Sequence, residues 1–159
     1  MNEKLIVIFP ASDDDYEFSY QVKKAAEGEL ISNTFGWNEG FQRAFHKEDW
    51  KEKRPNIIKF DSEKIGTNAI TEGDGFIEIG QFFILPEHQS RGVGSYILDL
   101  VLQQADGRGL VAQLALLRGN RAESLYIRKG FVYVRQTETY CYMERKPRPP
   151  GGGYPIKYP

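Results

Sequence analysis

Leu85-Pro86-Glu87-His88-Gln89-Ser90-Arg91-Gly92-Val93-Gly94-Ser95 joins the most apolar run of the chain to its clearest amphipathic segment. The run before it, Phe76 to Leu85, reads as a strand closed by Pro86, and Gly80 inside it points to a bulge or a close backbone approach. After it, Val93, Ile97, Leu100 and Val101 recur at helical spacing, so Val93 to Ala105 reads as a helix that ends near Gly107. The quoted stretch is therefore a strand-to-helix loop. Gly92 and Gly94 leave no side chain between the backbone and a ligand. The unpaired N–H groups of the helix's first turn favour an anion, by geometry and by the helix dipole. Arg91 adds a fixed positive charge beside them. On physics alone the loop is a cradle for a phosphate or pyrophosphate.

Two well-known phosphate loops do not fit. A Rossmann loop needs a third glycine where this chain has Ile97, and a P-loop needs Gly-Lys-Ser or Gly-Lys-Thr, which is missing. A simple glycine turn ahead of a helix is the bland alternative.

Upstream, the run Leu5-Ile6-Val7-Ile8-Phe9 reaches Pro10 and reads as a buried first strand, too short to span a membrane or serve as a signal-peptide core. Ser12 caps a helix whose first turn holds Asp13, Asp14 and Asp15, with Phe18, Val22, Ala25 and Ala26 on one apolar face. Phe35-Gly36-Trp37-Asn38-Glu39 ends that helix and opens a second, through Gln42, Phe45 and His46, and Lys51 to Pro55 reads as a loop. Ile57, Ile58 and Phe60 predict a strand, Asp61 to Lys64 a turn, Ile65 to Thr71 a second strand, and Glu72-Gly73-Asp74-Gly75 another turn. Downstream, Leu110 to Leu117 is a near-continuous apolar strand. Asn120 to Lys129 fits a short helix capped by Asn120 and stopped by Gly130, and Phe131 to Arg135 with Thr139 to Met143 reads as a terminal hairpin. The order predicts a mixed α/β fold with one core: a single domain over 1–145, then a Pro/Gly-rich arm over 146–159.

The 159 residues are ordinary for one globular domain, with 40% hydrophobic and 27% charged side chains. A net charge of −1 lacks the basic excess of a nucleic-acid binder. The one cysteine, Cys141, excludes an intrachain disulfide and a thiolate cluster. His46 and His88 stand apart, outside ligand-spaced motifs, so no metal is expected. Cytoplasmic residence is the default reading, with no nucleic-acid or membrane partner, and a homodimer is left open.

Gln89-Ser90-Arg91-Gly92-Val93-Gly94 resembles the acyl-CoA signature of the GNAT superfamily of N-acetyltransferases: Gln or Arg, two residues, Gly, one residue, Gly or Ala. Asn120, Ala122, Leu125-Tyr126 and Gly130-Phe131 resemble the family's second motif at the expected distance, and the resemblance spans about Ile57 to Met143. It implies a GNAT-like fold, a central mixed sheet with flanking helices, in which two central strands splay and the pantetheine of acetyl-CoA inserts between them. Backbone groups of Phe82, Phe83 and Ile84 would bind that arm. The pyrophosphate would lie in the loop of Gln89 and Ser90, on the N–H groups of Arg91, Gly92, Val93, Gly94 and Ser95, with Asn120 facing the pantetheine or thioester and Tyr126 near the sulfur.

The implied chemistry is direct attack of a primary amine, from a small molecule or a peptide, on the thioester. Tyr126 would protonate the departing thiolate, unless it is simply a packed helix tyrosine. Glu78, opposite in parity to Ile77 and Ile79, is a candidate base or an exposed strand carboxylate; Glu39 is a weaker candidate. Phe35 to Glu39 and Gln42 lie where the family builds its acceptor pocket. Trp37 reads first as a core residue, and Cys141 is not expected to be a nucleophile. The rival function is a non-catalytic acyl-CoA-sensing module on the same fold.

Overall fold

The computed structural model describes residues 5–149. Its elements are β1 Ile6–Pro10, α1 Tyr16–Phe35, α2 Glu39–Glu52, β2 Asn56–Phe60, β3 Glu63–Glu72, β4 Phe76–Ile84, α3 Val93–Gly107, β5 Val111–Leu117, α4 Glu123–Arg128, β6 Val132–Gln136 and β7 Tyr140–Arg145. The strands make one mixed sheet in the order β1-β2-β3-β4-β5-β7-β6, with β4 and β5 parallel. The mixed α/β class expected from the element order is the observed one. The chain also divides into two compact units that interleave in sequence: Met1–Ala69 with Gln81–His88, and Ile70–Gly80 with Gln89–Pro159.

In the first unit the core is built from Ile57 and Ile58 of β2, Ile65 of β3, and Tyr20 and Val22 of α1, all essentially inaccessible to solvent. A tight turn at Asp61 and Ser62, both at positive φ, reverses the chain between β2 and β3. The helical segment opens on a short 3-10 turn, Asp13–Asp15, rather than directly on α1. There the buried Asp15 carboxylate accepts from the Ser12 backbone N–H at 2.9 Å and pairs with Lys64. The three aspartates are thus a helix start, with Asp15 paired to Lys64 inside and Asp13 paired to Arg54 at the surface. The face of α1 differs from the expected one. Ser19, Tyr20, Val22 and Ile31 are buried and Ala25 is exposed; the buried Ser19 hydroxyl donates to the Tyr16 carbonyl and lies 3.1 Å from His46 Nε2. Gly36 at φ 79 stops α1, and the Asn38 side chain caps α2 by accepting from the Phe41 N–H at 2.8 Å. α2 runs on through Lys51 and Glu52, into the expected loop.

The expectation of a buried first strand is corrected. Among the described residues β1 is an edge strand with β2 as its one neighbour, and Leu5, Val7 and Ile8 are 66%, 41% and 36% exposed. An apolar run shows that a segment is strand-like, but not whether both of its sides are covered.

In the second unit α3 buries Val93, Ile97, Leu98, Leu102 and Ala105, and β5 buries Ala112, Leu114 and Leu116. β7 alternates cleanly, placing Cys141, Met143 and Arg145 inward. Arg145 is almost fully buried and forks onto Asp106 at the end of α3, with bonds of 2.8 and 3.0 Å, while its Nε donates to the Lys129 carbonyl at 3.0 Å. Asp106 also accepts from the Arg148 N–H at 2.9 Å, which ties the start of the Pro/Gly arm to α3. Of that arm, residues 150–159 lie outside those described. Lys129 pairs with the buried Asp99 of α3 at 2.9 Å. α4 is shorter than the expected Asn120–Lys129 helix, because residues 120–122 form a turn instead.

Candidate active site

The loop after β4 is a 3-10 turn, Pro86–His88, followed by a tight bend into α3. Ser90 has φ 61 and Gly92 has φ 84, so the chain passes twice through the left-handed region before the helix begins. Gly92 is the N-cap of α3 and its carbonyl accepts the first helical bond, from the Tyr96 N–H at 2.9 Å. No side chain caps this end, and the first turn carries no acidic residue. The N–H groups of Val93, Gly94 and Ser95 thus open on the loop, with the exposed Arg91 beside them. A 15-residue helix with this start presents partial positive charge at its N-terminus. Its chemistry suits a phosphate group.

The first unit holds Phe82, Phe83 and Ile84 at the end of β4. There the anticipated irregularity falls on Gln81, at φ 46, next to Gly80. The alternation of burial along β4 inverts across this position. Ile77 and Ile79 are buried before it, and Ile84, of the opposite parity, is buried after it. The buried Thr67 pins this kink by donating its hydroxyl to the Gln81 carbonyl at 2.7 Å. Gly66 lies so close to Phe83 that a Cβ would sit 2.3 Å from the Phe83 carbonyl oxygen. Sequence reasoning missed Gln81, Thr67 and Gly66. Gly80 was the available signal, but it marks the neighbour of the strained residue.

Glu78, Asn120 and Tyr126 belong to the second unit with the loop. The parallel ladder between β4 and β5 has three pairs, Phe76↔Val111, Ile77↔Ala112 and Glu78↔Gln113, and ends there. Glu78 is exposed, on the side opposite the buried Ile77 and Ile79. Beyond β5, the Asn120 side-chain oxygen accepts from the Ala122 N–H at 2.8 Å, so it shapes the turn that leads into α4. Tyr126 is buried on α4, its ring edge-on to Phe131 at 5.4 Å, and its carbonyl accepts from the Phe131 N–H at 3.0 Å.

Several other sequence candidates have structural roles. Glu39 accepts from the Trp37 indole at 2.7 Å and from Lys24 at 3.3 Å. The Trp37 bond, joined by those of Tyr20 and Lys24, holds its carboxyl at about 2, too acidic for a base near neutral pH. Trp37 is half-buried rather than a core residue, with its indole N–H on Glu39 and the Lys24 ammonium over its ring. Gln42 is buried on α2. His46 is buried, with Nε2 3.1 Å from both the Ser19 hydroxyl and the Tyr16 carbonyl, and burial pulls its pKa down. His88 is buried beside Phe60. Burial pushes the Cys141 thiol up, so it stays protonated and is a poor nucleophile. Among the described residues no group of three or more His, Cys, Asp or Glu could hold a metal ion, and no helix is long and apolar enough to cross a membrane.

A profile described as the acetyltransferase (GNAT) family matches residues 20–131. The chain belongs to the acetyltransferase (GNAT) family. It is therefore an acetyltransferase, with acetyl-CoA as the acyl donor. The fold agrees. PaiA N-acetyltransferase from Thermoplasma acidophilum, solved in complex with coenzyme A, is 18% identical with a TM-score of 0.70, over 89% of this chain and 99% of that one. The ribosomal-protein-S18-alanine N-acetyltransferase from Escherichia coli is 15% identical with a TM-score of 0.66, over 94% and 99%. An acetyltransferase from Thermus thermophilus is 17% identical with a TM-score of 0.68, over 89% and 96%. No curated protein matches the chain.

Proposed function

We propose that this acetyltransferase is an N-acetyltransferase, moving the acetyl group of acetyl-CoA to a primary amine by direct attack. The observation that carries the reading is the start of α3: an uncapped helix N-terminus behind a left-handed glycine, with a cationic side chain beside it. Its backbone N–H groups, from Arg91 to Ser95, hold the pyrophosphate, and Gln89 and Ser90 complete the loop. The backbone of Phe82, Phe83 and Ile84 binds the pantetheine, and the positive φ of Gln81, just before them, supports that role. Asn120 fixes the turn that presents α4.

The amine nitrogen forms a bond to the thioester carbonyl carbon, and the carbon–sulfur bond then breaks. Tyr126, buried on α4, donates its hydroxyl proton to the departing sulfur. Before attack Glu78, exposed on β4, accepts a proton from the acceptor's ammonium, directly or through water, so that the neutral amine adds; the second nitrogen proton leaves to solvent as the intermediate collapses, and Glu78 returns its own to solvent. Tyr126 is then reprotonated from solvent. The domain reading that goes with this is one acetyltransferase domain over 1–145, followed by the arm over 146–159; the family match over 20–131 supports it.

A panel of primary amines, from small polyamines to short peptides, assayed with acetyl-CoA for free thiol, tests this. At least one amine should release thiol in step with acetylated product. Tight CoA binding without turnover on any amine points instead to a sensing module.

A further inference from the structure

We propose that β1 is a pairing edge whose occupant is β1 of a second copy of this chain, antiparallel about a two-fold axis through Val7. β1 stands at one end of the sheet, with β2 as its neighbour. Native edge strands carry charges, bulges or covers that stop them recruiting another strand. The opposite edge has two such devices. Tyr133 and Arg135 of β6 pair with the adjacent residues Met143 and Tyr142 of β7, so Val134 is an extra, bulged residue, and Arg135 puts a charge on the strand.

Among the described residues β1 has neither device; Pro10, at its end, is its one edge-blunting residue. Leu5-Ile6-Val7-Ile8-Phe9 carries no charge, and β1 pairs with β2 residue for residue from Ile6↔Phe60 to Pro10↔Asn56. Its apolar side chains nevertheless face solvent at Leu5, Val7 and Ile8. An edge without charge is complemented by a strand without charge; a charged peptide would bring groups that nothing on β1 matches. The chain's own β1 meets that requirement.

The hydrogen bonds choose the axis. The Asp61 N–H donates to the Leu5 carbonyl at 3.1 Å, and the Ala11 N–H donates to the Pro55 carbonyl at 3.2 Å. Odd-numbered residues of β1 therefore direct their backbone groups at β2, and Ile6, Ile8 and Pro10 direct theirs outward. Pro10 has no N–H, which is tolerated on an outward-facing position. An axis through Ile8 would oppose Ile6 to Pro10 of the copy and leave the Ile6 carbonyl without a donor. With the axis through Val7, Ile6 and Ile8 of the copy exchange both bonds, as do Ile8 and Ile6 of the copy. Val7 then faces itself in the non-hydrogen-bonded position, where side chains are closest. A strand pair this short buries well under the ~800 Å² per partner of a standard interface, so the dimer is weak, with Kd on the order of micromolar to hundreds of micromolar.

Sedimentation of the full chain over a wide concentration range, with circular dichroism to confirm folding, tests this on the parent, Val7→Lys, Val7→Glu and an equimolar mixture of the two variants. The parent should shift from monomer to dimer as concentration rises. Each variant alone should weaken association at least about tenfold, because like charges meet on the axis. The mixture should recover a dimer, since position 7 opposes itself. Val7→Cys, a smaller change, should give a covalent dimer under mild oxidation while Ile8→Cys does not; the buried Cys141 does not compete. A parent that stays monomeric throughout overturns the proposal, as do charged variants that dimerise like the parent. Folded variants whose mixture stays monomeric, or equal cross-linking at positions 7 and 8, overturn the axis.

Discussion

Replacing Gly92 by alanine separates the backbone strain of the loop from its role toward the ligand. Gly92 sits at φ 84 and ψ −3, where a Cβ meets the following peptide and costs about 1–2 kcal/mol. For a chain of this size that corresponds to a fall in melting temperature of about 2–8 °C. Gly109 is an internal control in the same unit. It has φ 68, an added Cβ would meet nothing within 4 Å, and it lies beyond α3, away from the loop. Gly109→Ala should therefore show a similar loss of stability and bind CoA like the parent. Gly92→Ala can relieve its strain only by moving the start of α3, which takes one or more first-turn N–H groups off the pyrophosphate. A hydrogen bond to a charged group is worth about 1.5–3 kcal/mol, so CoA affinity should fall about 10- to 100-fold. Urea unfolding gives the first quantity and calorimetric titration with CoA the second. If Gly92→Ala and Gly109→Ala bind CoA equally well, the pyrophosphate does not rest on α3 and the reasoning fails.

Tyr126→Phe keeps the ring against Phe131 and should lower kcat by roughly 10²-fold while CoA affinity holds; steady-state kinetics within about threefold of the parent removes it from the mechanism. Asp106→Ala strips the buried Arg145 of its forked partner and should cost about 3–5 kcal/mol in urea unfolding, whereas a loss below about 1 kcal/mol shows that Arg145 re-solvates. Burial alone would raise the Asp106 pKa, but the bonds from Arg145 and the Arg148 N–H prevail and lower it below its ordinary 3.8. Its contribution is therefore complete above that value and is lost as pH falls through the lower folded-state pKa. The acid limb of the stability curve should flatten in Asp106→Asn. Thr67→Val leaves the Gln81 carbonyl without its donor and should cost about 1–3 kcal/mol, read by thermal denaturation; no change would mean that the kink at Gln81 does not depend on that bond.

The most legible parts of the sequence were those where one residue type has one physical use. Gly36 and Asn38 mark a helix stop and a cap, and both do that work. Gly92 before Val93 marks a strand-to-helix turn with room for an anion, and the backbone there is left-handed as glycine allows. Periodicity located α3, but Leu98 and Leu102 are buried where Leu100 and Val101 are only partly so. The apolar stripe is wider than four chosen positions. What could not be read depends on neighbours distant in sequence. Gln81 takes a positive φ where Thr67, fourteen residues earlier, donates to its carbonyl. Glu39 resembles a base until Trp37 and Lys24 are seen to occupy its Oε2 and Arg43 its Oε1. β1 is as apolar as a central strand, and only the strand order makes it an edge.

The central claim is that the first turn of α3 holds the pyrophosphate of CoA. Amide chemical shifts followed by NMR during a CoA titration test it directly, residue by residue. The largest changes should fall on the N–H groups of Arg91, Gly92, Val93, Gly94 and Ser95, and saturate with the calorimetric Kd. Saturating shifts confined to other segments, or none at millimolar CoA, would contradict it.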